Sequence, residues 1–184
     1  MTAAAAPHRF ALPVALAEQG IALRTETEAD LPFLFQLYVS TRWDELASLT
    51  DWTEAQKIGF LQSQFAAQRD HYLNHYGKSS FDVIEQQGVP VGRFYVDRQE
   101  RTLLIVDIAL LPQWRGRGVG TALIEALFAE ARSIGKEVSI SVEKFNPAQR
   151  LYRRLGFREY AEDDVYWFMY WSPQPPDAGQ LNSA

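Results

Sequence analysis

The stretch Leu110-Leu111-Pro112-Gln113-Trp114-Arg115-Gly116-Arg117-Gly118-Val119-Gly120-Thr121 constrains this chain more than any other. It joins an apolar segment to an amphipathic one, so it reads as a strand running through a tight loop into a helix. Glycines at alternating positions let the backbone bend and approach a ligand without a Cβ in the way. The first amides of the following helix have no partner within it, and the helix dipole adds positive potential. Such a loop accommodates a phosphate or pyrophosphate. Arg115 and Arg117 supply further positive charge.

The rest of the chain narrows the choices. At 184 residues it is most simply one domain. The net charge of -5 argues against a general nucleic-acid partner, which requires a basic surface. No cysteine is present, so disulfides, thiolate metal sites and a cysteine nucleophile are excluded. His71 and His75 are spaced to share a helix face, but no Glu follows His71 as in the zinc-protease pattern; no metal is expected. No apolar run reaches the ~18 residues of a membrane span, and no membrane partner is expected. Residues 1–19, rich in Ala, lack a secretory pattern and read as a flexible extension. The Pro-rich segment 172–184 reads as a disordered tail, leaving 20–171 as the domain. A cytoplasmic location is the default expectation.

Periodicity organises the domain. Ile21 to Arg24 alternates as a short strand. Thr27 and Asp30 are spaced as cap and acidic first turn before Leu31, Leu34, Phe35, Tyr38 and Val39, which recur at helical spacing. Thr41 to Asp51 reads as a connection. Thr53 caps a long helix carrying Ile58, Leu61, Phe65 and Tyr72 and ending before Gly77. Phe81 to Glu85, a turn at Gln87-Gly88, and Val91 to Asp97 form a hairpin. Thr102 to Leu110 is nearly all apolar, the mark of a central strand. A helix from about Thr121 to Ile134 stops at Gly135, and the strand Glu137 to Val142 completes a parallel strand–helix–strand unit. Asn146-Pro147 opens a short helix to Leu155, and Val165 to Tyr170 is a last, aromatic strand.

Three groups of residues carry a family resemblance: Val106-Asp107-Ile108-Ala109-Leu110 through Gly120, then Asn146-Pro147-Ala148, then Leu151-Tyr152-Arg153-Arg154-Leu155-Gly156-Phe157. Arg115-Gly116-Arg117-Gly118-Val119-Gly120 matches the Arg/Gln-x-x-Gly-x-Gly signature of the GNAT superfamily of acetyl-CoA-dependent N-acetyltransferases. The chain resembles that family from Ile21 to Tyr170. The resemblance implies an α/β fold whose mixed sheet splays apart beside the central strand and is flanked by helices. It also implies an acetyl group passed directly from acetyl-CoA to a primary amine in a ternary complex, without a metal. The pantetheine arm would pair with Ile108, Ala109 and Leu110. The pyrophosphate would rest on the loop Arg115, Gly116, Arg117, Gly118, Val119, Gly120 and Thr121. Asn146 matches a cofactor-contacting residue, though a helix cap before Pro147 suits it equally. Tyr152 matches the tyrosine placed beside the sulfur.

Amine acetylation needs a neutral amine, donors for the thioester oxygen and a hydrogen bond for the leaving thiolate. The resembling family often carries a Glu on the central strand; this strand has Leu103 to Val106 there, and Asp107 is its one acid. Catalysis is one role open to Asp107, and pairing with Arg93 or Arg101 is another, because an unpartnered charge is costly in such a strand. Glu143, His71 and His75 are further candidates. Trp43, Asp44 and Glu45 lie where the family builds its acceptor pocket, and acidic and aromatic groups suit a cationic amine; a surface segment is the alternative. The acceptor would be a small-molecule or peptide amine, and a homodimer is compatible. A Rossmann reading fails because Thr121 replaces the third glycine and too few βα units remain. A non-catalytic acyl-CoA-binding module of the same fold is the alternative to an enzyme.

Overall fold

The computed structural model describes residues 10–174; residues 1–9 of the expected flexible extension and 175–184 of the expected disordered tail lie outside this range. Seven strands form one sheet: β1 (Ile21–Thr25), β2 (Ser80–Gln86), β3 (Val89–Arg98), β4 (Thr102–Leu110), β5 (Glu137–Glu143), β6 (Arg158–Glu162) and β7 (Tyr166–Trp171). Their order is β1-β2-β3-β4-β5-β7-β6. Every pairing is antiparallel except β4 with β5. The helices are α1 (Val14–Glu18), α2 (Leu31–Ala47), α3 (Glu54–Tyr76), α4 (Val119–Ile134) and α5 (Gln149–Arg154). Among the described residues no helix is long and apolar enough to cross a membrane.

Local chemistry explains most boundaries. Asp30 accepts from the Thr27 backbone N–H at 2.8 Å, and Gln56 accepts from that of Thr53 at 2.8 Å, so both expected caps form. Gln87 and Gly88 both have positive φ, 50° and 81°, the conformation that turns a two-residue hairpin with the twist of its strands. Three expectations change. The connection expected over Thr41–Asp51 is largely helical, because no Gly or Pro interrupts α2 before Ala47. The expected extension contains α1, whose Leu16 is buried, and Phe10 packs edge-on against Phe94 at 5.5 Å. The edge strand β6 was not foreseen; all five of its residues are exposed, so it has no apolar alternation to read.

The sheet separates two environments. On one face α4 packs Leu123, Ile124, Leu127 and Phe128 against Leu103, Ile105, Val138, Ile140 and Met169. Tyr38, Leu46 and Leu61 of α2 and α3 form a second cluster, with Phe65 against it, and Tyr72 of α3 reaches Asp107 on the opposite face of β4. A bulge lies in β4 at Val106: Tyr95 pairs with Asp107, yet Val96 pairs with Ile105. Leu103 and Ile105 point to the α4 side, and simple alternation would send Asp107 there too. The extra residue reverses the phase, so Ile108 and Leu110 pack on the apolar cluster while Asp107 faces α3.

Candidate active site

β4 and β5 part in the middle of the sheet. Their pairing runs from Thr102↔Glu137 to Ile105↔Ile140 and stops, while β5 stays paired with β7 as far as Glu143. The β5-facing edge of β4 from Val106 to Leu110 therefore has no strand beside it. The Leu111 N–H donates to the Val91 carbonyl at 2.9 Å. Antiparallel alternation then directs the backbone groups of Ala109 and Asp107 to β3, and those of Ile108 and Leu110 into the gap. Unpaired strand groups are a template for an amide-rich ligand.

The glycine loop meets the end of this gap. Gly118, at φ 83°, is the N-cap of α4 and offers no side chain to its first amides. A Cβ at Gly118 would meet no protein atom within 4 Å, so the left-handed backbone, not crowding, favours glycine there. The Gly120 position lies over Ile108, which brings the helix N-terminus to the strand edge. The loop differs from expectation at Arg115. Its backbone N–H is spent on the Pro112 carbonyl, and its exposed side chain folds along the loop, donating to the Leu110 carbonyl at 2.9 Å and the Ser40 carbonyl at 3.2 Å. Those contacts tie the loop to β4 and α2. Arg117 lies over the Trp114 ring at 4.8 Å.

Asp107 stands beside the gap on the α3 side. It pairs with the Arg93 guanidinium, as one of its two sequence readings anticipated, and accepts from the Tyr72 hydroxyl at 3.0 Å. Arg93 also donates to Gln68 at 3.1 Å. Among the described residues, Arg93 Nε is the one fully buried side-chain polar atom without a partner. Burial pushes the Tyr72 phenol well above its ordinary pKa, and the Asp107 charge adds to this.

Tyr152, on α5, is 5% exposed and packs edge-on against Phe157 at 5.7 Å. Its hydroxyl has no hydrogen bond to the described residues, and because it is not among the fully buried orphans it opens onto accessible space. Burial raises its pKa, with the Asp107 charge contributing. A buried phenol, held protonated and without a partner among the described residues, is a hydrogen-bond donor in want of an acceptor. Asn146 Oδ1 accepts from the Ala148 N–H at 2.9 Å, a side-chain turn ahead of α5; the helix itself starts later than expected, with Ala148 as its N-cap and no side-chain cap.

The acceptor-side residues expected on α2 are distributed differently. Trp43 packs against the Tyr38–Leu46–Leu61 cluster, Asp44 is exposed, and Glu45 contacts Arg42 at 3.2 Å. The side chain that crosses the gap is Arg42, which holds Glu143 of β5 through bonds of 2.7 and 2.5 Å. Tyr38 sits one turn before it. Sequence reasoning did not single out Tyr38, Arg42 or Tyr72 as site residues; the i, i+4 spacing of Tyr38 and Arg42 was the available signal.

The model of the Acetyltransferase (GNAT) family matches residues 46–157, which include the parted strands, the glycine loop and α5. The chain belongs to the GNAT family. It is 28% identical over 134 residues to the uncharacterized N-acetyltransferase CgeE of Bacillus subtilis, covering 65% of this chain and 51% of that one. It is also 28% identical over 147 residues to the uncharacterized N-acetyltransferase MJ1207 of Methanocaldococcus jannaschii, covering 74% and 60%. The chain thus spans about half to three fifths of these relatives. Among solved structures, the PaiA N-acetyltransferase of Thermoplasma acidophilum, in complex with coenzyme A, has the same fold at a TM-score of 0.62 and 15% identity, covering 83% of this chain and 98% of that one. A mixed sheet opened beside its central strand, with helices on both faces, is thus a GNAT fold.

Proposed function

We propose that this GNAT protein transfers an acetyl group from acetyl-CoA directly to a primary amine. Tyr152 is the observation that carries the reading: a buried phenol without an acceptor among the described residues, within reach of the Asp107 charge. The residues present fit acetyl-CoA. The backbone groups of Ile108 and the Leu110 N–H, directed into the gap, suit the amides of its pantetheine arm; the Leu110 carbonyl is held by Arg115. The uncapped α4 amides from Val119 to Thr121, with Gly116, Arg117 and Gly118 before them, suit its pyrophosphate. Bound there, acetyl-CoA supplies an activated acyl group.

Each residue then has a distinct task. The Ile108 or Leu110 N–H, free in the gap, donates to the oxygen that gains charge. Tyr152 hydrogen-bonds the departing sulfur. Its raised pKa makes full proton transfer to a thiolate of pKa ~8.5 unfavourable, so it stabilises the leaving group as a donor. Asp107 takes the acceptor ammonium as its ion partner. A carboxylate is a far weaker base than an alkylamine, so it pairs with the ammonium instead of taking its proton. Asp107 therefore orients the amine, the ammonium loses its proton to bulk water before the neutral amine attacks, and kcat/KM rises with pH until the amine is neutral.

Calorimetric titration with acetyl-CoA, with NADH as control, tests the cofactor; an amine screen then tests turnover. Saturable binding of acetyl-CoA alone with product formation is expected. Tyr152→Phe should lower kcat on the order of a hundredfold while acetyl-CoA affinity changes little. Wild-type rates in that variant would reduce Tyr152 to packing, and binding without turnover on any amine would point to the acyl-CoA-binding module.

A further inference from the structure

We propose that the acceptor is an alkyl diamine, whose second, unreacting ammonium is held by Glu143 and the Tyr38 hydroxyl. This rests on the acetyltransferase reading and names the substrate class for that site. Glu143 and Asp107 stand on opposite arms of the parted strands. The side chains of Val138, Ile140 and Val142 enter the α4-side cluster, so alternation along β5 puts Glu143 on the opposite face. That is the face from which Asp107 meets α3. Asp107 lies two residues beyond the last shared β4–β5 pair and Glu143 three, ~7 and ~10 Å along their strands. The two carboxylates therefore look onto one opening at comparable depth, separated by the width of the gap.

Tyr38 gives an observation independent of the acids. It is 7% exposed and packs against Phe65 at 5.7 Å. Its hydroxyl has no hydrogen bond to the described residues, and like that of Tyr152 it is not a fully buried orphan. Tyr38 stands one helical turn before Arg42, on the same face of α2, and Arg42 in turn holds Glu143. A phenol so placed has an oxygen lone pair and a ring face to offer a cation.

The charge around Glu143 selects for a cation. Arg42 is shared between Glu143 and Glu45, so two acids stand against one base. Lys144 is committed to Glu162 at 2.6 Å and does not offset them. Tyr166, the cross-strand partner of Glu143, adds a half-exposed ring on the same face. The Arg42–Glu143 pair itself remains partly hydrated, with side chains 27% and 25% exposed, so an incoming ammonium can share the carboxylate.

The test compares 1,5-diaminopentane with 1-aminopentane and 5-aminopentanoate as acceptors for the full chain. Calorimetry with acetyl-CoA is run in parallel. The expected kcat/KM for the diamine exceeds that for the monoamine by at least tenfold, mainly through KM, and the amino acid is poorest. Glu143→Gln should bring the diamine-to-monoamine ratio towards one, Glu143→Asp should restore part of it, and Tyr38→Phe should lower it several-fold. Arg42→Gln should raise the ratio by freeing Glu143, a direction that loss of a structural contact would not produce. Equal use of the diamine and monoamine, or a ratio indifferent to Glu143→Gln, overturns the inference and leaves the acetyltransferase reading intact. Failure to bind acetyl-CoA overturns both.

Discussion

Replacing Arg93 by Met probes the buried support of the site. Arg93 is 4% exposed, pairs with Asp107, donates to Gln68 at 3.1 Å and lies over the Tyr95 ring at 5.4 Å. Met fills much of the same volume but removes the charge, leaving Asp107 with the Tyr72 hydroxyl as its remaining side-chain partner. Breaking a buried pair in this way costs about 3–5 kcal/mol. The Asp107 side chain is 15% exposed and borders the gap, where water can solvate the abandoned carboxylate, which favours the lower end, ~3 kcal/mol. A domain of this size loses about 2–4 °C per kcal/mol, so Tm should fall by about 6–12 °C. Asp107→Leu should cost more, because it strands the more deeply buried partner. The double variant Arg93→Met/Asp107→Leu should recover at least half of the loss from Arg93→Met, since no uncompensated charge remains. Urea unfolding followed by far-UV circular dichroism gives all four corners of the cycle. A cost below 1 kcal/mol for Arg93→Met, or strictly additive losses in the double variant, would refute the reasoning.

Other outcomes follow from single contacts. A Cβ at Gly92 would lie 2.4 Å from the Ala109 carbonyl oxygen and 2.7 Å from Leu110 Cδ2. Gly92→Ala should therefore push β3 from β4, costing about 1–3 kcal/mol in urea unfolding and weakening acetyl-CoA binding through the shifted strand edge. Gly118→Glu places a carboxylate and a strained left-handed residue at the α4 N-terminus; calorimetry should detect no acetyl-CoA binding while circular dichroism stays native. The Arg24 guanidinium, bonded at 2.6 and 2.7 Å and helped by the Thr27 N–H, holds the Asp30 carboxyl well below the usual carboxylate range. Its folded pKa is thus below its unfolded one. The stabilisation is present above pH ~4 and is lost as pH falls through the carboxylate range. Asp30→Asn should lower Tm at pH 7 and leave a shallower decline on acidification; an unchanged acid profile would remove Asp30 from the account.

Local signals made the frame of this GNAT domain readable from its residues. Thr27 with Asp30, and Thr53, mark helix starts, Gln87-Gly88 a hairpin, and the glycine run a strand, an anion-binding loop and a helix. Each is a short-range preference of backbone and side chain, contained within a few residues. Longer-range features were decided only by tertiary structure. Alternation along Leu103, Ile105 and Asp107 points the acid into the apolar core; pairing with β3 inserts Val106 as a bulge and turns it towards Arg93 and Tyr72. Arg115 reads as a phosphate contact from its neighbours in sequence, yet Leu110 and Ser40, brought together by folding, hold its side chain. Arg42 meets Glu143 across 101 residues of chain, and β6 exists because β7 offers it an edge. Partners so far apart have no common periodicity or spacing, because their meeting depends on the path of all the chain between them.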